Sequence, residues 1–479
     1  MKFLRLLPLR WLGAVKFSIF LGLAGCGVML PSSRMEDADL AVPTAWSATP
    51  EARAGIDQRW LRKLGGVELS GLVEEALHAN PDLKAAAARV ERAAAEAQIA
   101  GAARQASLGL GGTGVRSQQR FVGLPLPEIS GAPASLSNNF GVALNAAWEV
   151  DVWGRARAGQ VAALAGGEAS ARDYEAARAS LAAQVAKAWL ALAEGNAQIL
   201  LASAGLEARR QLADAVRERF ERAIVDDGGS AAQVRLTQSE VASGEAALAL
   251  RRQEKERALR QLELLLGRYP AGKLAAGAEL PVLPPVPQVG LPSELLLRRP
   301  DVLAAERRFA ADGARTKEAR LARFPSLRLT GSSGTTTSSL RDVLSSDFGV
   351  WSLGGSLTQP LFEGGKITGR IHLAAADESE GAAVLQRTVL VAFAEVEQAL
   401  AAEIHLRERE DAARRANSLA QDAAQSATQE FAGGTGDVFT LIETREQEIS
   451  TASQLVTLRR LRLDNRVDLH LALGGDFSL

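Results

Sequence analysis

The chain has 479 residues, with 55 Lys and Arg against 56 Asp and Glu, four His and one Cys. This balance excludes the strongly basic footprint of a nucleic-acid binder. The lone cysteine excludes an intrachain disulfide and leaves a zinc site without its usual ligands. Aromatics are 5% of the residues, while Ala, Leu, Glu and Arg dominate long tracts, a composition of long packed helices rather than of a compact mixed core.

The N-terminus reads as an export signal over residues 1–25. Lys2, Arg5, Arg10 and Lys16 precede or flank the apolar run "FSIFLGLAG" (17–25), which is too short to span a bilayer. It ends in Leu23-Ala24-Gly25-Cys26, similar to the bacterial lipobox, which implies cleavage before Cys26 and lipidation of its thiol. Gly27, where Asp favours inner-membrane retention in such lipoproteins, is compatible with the outer membrane. A buried, inert cysteine is the alternative. No later stretch has the apolar length of a transmembrane helix, so a membrane crossing requires a closed β-barrel.

Residues 26–69 read as an extended N-terminal segment. From 70 to 267 one structural unit follows: a helical tract (70–105), strands near 106–116 and 139–150 around a polar loop, a long helix (155–224) and a shorter one (230–267). The second strand alternates, with Phe140, Val142, Leu144, Ala146, Trp148 and Val150 against Gly141, Ala143, Asn145, Ala147 and Glu149. A Pro-rich segment (268–300) has no helical period and predicts an extended run outside the helices. The unit then recurs over 301–470: helix 301–323, strands near 325–333 and 348–358, long helix 366–432 and helix 437–470, before a tail at 471–479.

The recurrence is an internal repeat. "NPDLKAAAARVERAAAEAQ" (80–98) parallels "RPDVLAAERRFAADGARTK" (299–317), and Leu181, Val185, Trp189 and Leu192 match Leu385, Val389, Phe393 and Val396 on one helix face each. Gly229 and Gly433 end the two long helices at the same offset. The long tracts predict helices of roughly 100 Å, each packed against a stacked pair of shorter ones through coiled-coil contacts. Each strand has about the ten residues of a tilted membrane strand. Four strands cannot close a barrel, because known barrels begin at eight, so several chains must pool them. The fold class expected is mainly α with a membrane β-barrel portion.

Several motifs carry a family resemblance. "LLLRRPDVLAAERRFAADGARTKEARLARFPSLRLTGSSG" (295–334) resembles the midpoint signature of the outer-membrane efflux proteins of the OprM and NodT type, relatives of TolC. "WEVDVWGR" (148–155) and "QPLFEGGKI" (359–367) resemble their two strand-to-helix corners, and "LALGGDF" (471–477) their C-terminal end. The resemblance covers essentially the whole mature chain. It implies a TolC-like homotrimer with a twelve-stranded barrel in the outer membrane and a helical barrel in the periplasm. It also implies partners: a periplasmic adaptor, an inner-membrane transporter of the RND type and outer-membrane lipid. No cofactor and no enzymatic step are implied.

The family's gate segment corresponds to Phe439-Thr440-Leu441-Ile442-Glu443-Thr444. By resemblance Phe439 is the apolar constriction and Glu443 the gating acid, while Thr440 departs from the family's first acid. Three symmetry-related carboxylates in one lumen would raise one another's pKa and favour cations. A solvated helix-face charge is the alternative for Glu443. Asp437 lies one turn away, and Asp226 and Asp227 sit at the other tip turn as turn formers or adaptor contacts.

Gly109-Leu-Gly-Gly-Thr-Gly114 satisfies a dinucleotide fingerprint, but Pro125 and Pro127 follow where a helix is required. Two rival readings remain: a lipid-anchored periplasmic adaptor, which needs only one helical hairpin, and a duct for protein secretion.

Overall fold

The computed structural model describes residues 42–48, 60–120, 134–222, 230–277, 279–287 and 289–475. Cys26, the export signal, Asp226, Asp227 and Gly229 lie outside the described residues. The elements run α1 (Trp60–Ala79), α2 (Pro81–Ala102), β1 (Ser107–Arg120), β2 (Ala134–Val150), α3 (Arg155–Arg222) and α4 (Ala231–Leu265). After a long irregular segment come α5 (Pro292–Arg298), α6 (Pro300–Leu321), β3 (Ser326–Thr337), β4 (Gly349–Thr358), α7 (Lys366–Ala432) and α8 (Val438–Ala472).

Two expectations need correction at the start of the first repeat. Helix begins at Trp60 rather than after 69, with a break where Gly66 takes φ 61°. The tract 70–105 is two helices, because Asn80 stops one and caps the next: its side chain accepts from the N–H groups of Asp82 and Leu83, with Pro81 at the first helical position. The stacked pair along the 68-residue α3 is therefore α2, of 22 residues, and α4, of 35. The junction is fastened by the Asn80 amide donating to Leu265 O at 2.9 Å. In the second repeat α6 and α8 again have 22 and 35 residues and α7 has 67. There the Arg299 guanidinium donates to Ala472 O at 3.1 Å and pairs with Asp301 at 2.6 Å.

The long helices are Ala-rich and free of Pro, so nothing in their sequence interrupts them. At 1.5 Å per residue α3 is about 100 Å long. Near its start Ala158, Ala162, Ala165 and Ala169 are buried at 4-3-4 spacing, a flat stripe that lets neighbouring helices approach closely. At mid-length the duplicated positions form two cores. One gathers Trp189, Leu190 and Leu192 with Trp60, Leu69, Leu262 and Leu463. The other gathers Leu385, Phe393 and Val396 with Phe309, Leu469 and Trp46, whose ring meets Phe393 edge-on.

The irregular segment after α4 wraps this mid-length region. Glu263 accepts from the backbone N–H groups of Gly272, Lys273 and Leu274, and these bonds, that from Gly272 foremost, hold its carboxyl below the usual range. Asn196 of α3 donates to Gly277 O at 2.7 Å. The segment is not extended throughout: α5 forms within the expected linker 268–300.

The four strands make one antiparallel sheet in the order β1-β2-β3-β4. β2 and β3 pair from Phe140↔Thr337 to Val150↔Leu327, which joins the two repeats. The strands outrun the alternating apolar pattern: β1 and β2 stay paired through Ser117↔Ser137 to Arg120↔Ala134, and β3 continues to Thr337. Ladder hydrogen bonds hold there without an apolar face.

Candidate functional site

The register sorts the sheet into two chemically distinct faces. On one lie Leu108, Leu110, Val142, Leu144, Trp148, Leu329, Trp351, Leu353 and Leu357, brought side by side by pairs such as Leu110↔Leu144, Trp148↔Leu329 and Leu327↔Leu357. On the other lie Thr113, Asn139, Asn145, Thr330, Ser332, Ser352 and Ser356. Hydroxyls bond across this polar face, as in Ser332 Oγ to Ser352 Oγ at 2.8 Å. The apolar face is open: Leu110 is 76% exposed, Trp351 80% and Leu353 76%. Among the described residues no element covers it, and so broad an apolar surface demands an apolar surrounding.

Among the described residues β1 and β4 are the free edges of the sheet. In a four-stranded antiparallel sheet the two edge strands run in opposite directions. A β4 edge can therefore pair antiparallel with the β1 edge of another copy, and a ring of such pairs removes every free edge.

The corner "EVDVWGR" turns strand into helix. Gly154 takes φ 81°, a left-handed turn that favours glycine. The Asp151 carboxylate then accepts from the N–H groups of Ala156 and Arg157 at 3.0 and 2.8 Å, satisfying two of the first free donors of α3. Arg155 pairs with Glu149 at 2.6 Å. The Trp153 indole donates to Pro325 O at 2.8 Å and stacks on Phe324 with ring centroids 5.1 Å apart. This locks the corner to the start of β3, and Trp148 is tied likewise to Arg104 O at 2.9 Å. The second corner uses two left-handed glycines, Gly364 and Gly365, in place of the Asp cap.

At the far end of the helices Val216, Ala427, Phe431, Val438 and Leu441 form a small separate core. Arg219 joins the ends of α3 and α7 twice over. Its guanidinium donates to Phe431 O at 2.6 Å and lies 4.0 Å from the centroid of the Phe431 ring. Nothing in the sequence pointed to Arg219, because its partner is 212 residues away.

Phe439 and Glu443 stand one turn apart on α8, both exposed, so the structure places them on one face. Thr440 and Gln447 are exposed beside them. Asp437 is instead the N-cap of α8: its carboxylate accepts from the Phe439 N–H at 3.1 Å. Among the described residues no group of three His, Cys, Asp or Glu converges to hold a metal ion, and no helix is long and apolar enough to cross a membrane.

Residues 72–268 and 291–475 match the family model described as outer membrane efflux protein. The chain is 30% identical over 467 residues to the pyoverdine export outer membrane protein OpmQ of Pseudomonas putida, covering 96% of each. It is 30% identical over 477 residues to the outer membrane protein OprJ of Pseudomonas aeruginosa, covering 97% of this chain and 96% of that one. Its structure superposes on the outer-membrane channel OprN with a TM-score of 0.83 at 25% identity, over 94% of this chain and 99% of the other. The two-faced sheet, the duplicated long helices and these likenesses agree: the chain belongs to the outer membrane efflux protein family.

Proposed function

We propose that three copies of the chain close one twelve-stranded barrel and form the exit duct of a tripartite pump, receiving small molecules from an inner-membrane RND-type transporter through a periplasmic adaptor. Family membership makes the chain an outer-membrane efflux channel with its helices extending into the periplasm. The observation that carries the trimer is the sheet itself: four strands, one apolar face, one polar face and two antiparallel edges left unpaired. Eight strands are the smallest barrel, and twelve leave a lumen lined by Ser, Thr and Asn.

The duct conducts and does not catalyse. Its gate is the Phe439–Glu443 face of α8, gathered three times around the axis, with Phe439 narrowing the opening and Glu443 favouring cations. Asp437 supports this face by holding the first turn of α8. Asp226 and Asp227, which precede Gly228-Gly229 in the sequence, serve as turn formers or adaptor contacts, and Cys26 carries the lipid anchor. Export of a small molecule, pyoverdine, by the similar OpmQ supports small-molecule cargo over protein.

Purified trimers fused into planar bilayers test the reading. Wild type should conduct in discrete steps, and Phe439→Ala should raise the open fraction several-fold. Absence of conductance steps from both proteins would overturn it.

A further inference from the structure

We propose that the tip holds a binding site for a small organic cation, an ammonium group on a compact apolar body, in the seam between the α3–α4 and α7–α8 hairpins. A cavity of about 200 Å³ lies there, lined from all four helices. Leu212, Ala215, Leu441 and Ile449 make its apolar wall.

Its polar wall sets two carboxylates, Glu240 and Glu446, beside two guanidiniums, Arg209 and Arg445. Arg209 of α3 is the one cation facing two carboxylates, Glu240 of α4 at 3.5 Å and Glu446 of α8 at 3.6 Å. Both distances are at or beyond the limit of a hydrogen bond. The other lining guanidinium, Arg445, is already engaged by Glu448 and by Thr428, each at 2.9 Å. Glu240 Oε2 is consequently buried with no hydrogen-bond partner, an arrangement that is costly unless something donates to it. Burial, and then the adjoining Glu446 carboxyl, push the Glu240 carboxyl up, with Arg209 opposing.

An ammonium group supplies the N–H donor that Glu240 Oε2 lacks and adds a positive charge between the Glu240 and Glu446 carboxylates. The apolar wall covers the rest of the molecule and excludes a fully hydrated inorganic ion. The volume is below that of drug-sized pockets, which fits a fragment with one ring. Contact with all four helices means that an occupant bridges the two hairpins. The site stands independently of any gating role for Phe439 and Glu443.

The test uses the full chain in non-ionic detergent, with 2-phenylethylamine hydrochloride as probe and binding read by calorimetry or saturation-transfer NMR. The amine should bind at least tenfold more tightly than 2-phenylethanol, which has the same ring without the charge. Binding should weaken as pH falls and protons compete for Glu240. Glu240→Gln should reduce affinity at least tenfold. Ala215→Leu, which fills the apolar end and leaves every charge in place, should abolish binding, while Glu443→Gln should leave it unchanged. Equal binding of amine and alcohol, or full amine affinity in both Glu240→Gln and Ala215→Leu, would overturn the site.

Discussion

The sheet and the α3–α8 seam are inverted with respect to each other. The sheet turns Leu110, Trp351 and Leu353 outward and leaves them exposed. The seam, by contrast, encloses charge: Glu194, Arg460 and Asp464 are linked in a chain beside the Lys187–Asp468 pair. On the other flank of α8, Arg462 bridges Glu403 at 2.8 Å and Glu410 at 2.9 Å, and the buried Arg466 joins Glu403 at 3.0 Å. Each region matches the medium its surface meets. Where lipid is the surrounding medium, apolar side chains belong outside. Where water surrounds long Ala-rich helices, paired charges between them fix register at a desolvation cost that their mutual attraction offsets only in part.

The largest effect that would break this comparison is a charge on the lipid face. Leu353→Arg should cost about 2–4 kcal/mol per copy near the membrane midplane and prevent recovery of the protein from the outer-membrane fraction. Ser352→Arg, one residue away on the polar face, should insert normally and alter only conductance. Equal behaviour of the two would erase the distinction between the faces.

A smaller effect separates two glycines of β3. A Cβ at Gly334 would meet Val142 O at 2.1 Å, whereas at Gly331 the nearest atom is the Leu353 side chain at 3.7 Å. Gly334→Ala should therefore lose about 1–3 kcal/mol as backbone shifts to make room, and Gly331→Ala close to nothing. The thermal midpoints of the two detergent-solubilised variants measure the difference.

The seam makes a pH-dependent prediction. Burial, with Asp468 and Glu194 adding and with Arg460 and Lys187 opposing, pushes the Asp464 carboxyl up to about 6. A raised acid binds its proton more tightly in the folded chain than in the unfolded one. Its contribution is thus fully present below the unfolded value near 4 and is lost as pH rises through about 6. Asp464→Asn should flatten this slope and stabilise the protein at pH 7.5 by on the order of 1–3 kcal/mol. Melting curves at pH 4.5 and 7.5 check it, and an unchanged slope would remove Asp464 as the cause.

The smallest effect on stability is expected at the tip. Glu443→Gln should shift the thermal midpoint within error, since surface changes of this kind stay within about 0.5 kcal/mol. Its effect should appear in bilayer reversal potentials as reduced preference for cations. An unaltered preference would return Glu443 to an ordinary solvated charge.

Much of the fold was legible because the signals were local. Alternation from Phe140 to Val150 marked β2, and "DVWGR" held both the Asp151 cap and the Gly154 turn. The upper ends of the strands were not legible: Ser117 to Arg120 and Ala134 to Asn138 are paired by backbone alone, with no one-sided apolar pattern. The break at Asn80-Pro81 was written in the sequence as a helix start, yet the apolar period runs on through it and masked it. At the tip the spacing of Phe439 and Glu443 was legible, but the capping of α8 by the Asp437 carboxylate was not. Arg209 and Arg219 were invisible because their partners come from other helices, with Glu446 and Phe431 more than 200 residues away.

Single-particle imaging of the chain extracted in detergent from outer membranes tests the central claim most directly. Class averages should show a three-fold tube, with roughly 100 Å of helix below a detergent belt at one end and one continuous strand wall inside that belt. Elongated monomers, or a ring of another order, would contradict closure of the barrel by three four-stranded sheets.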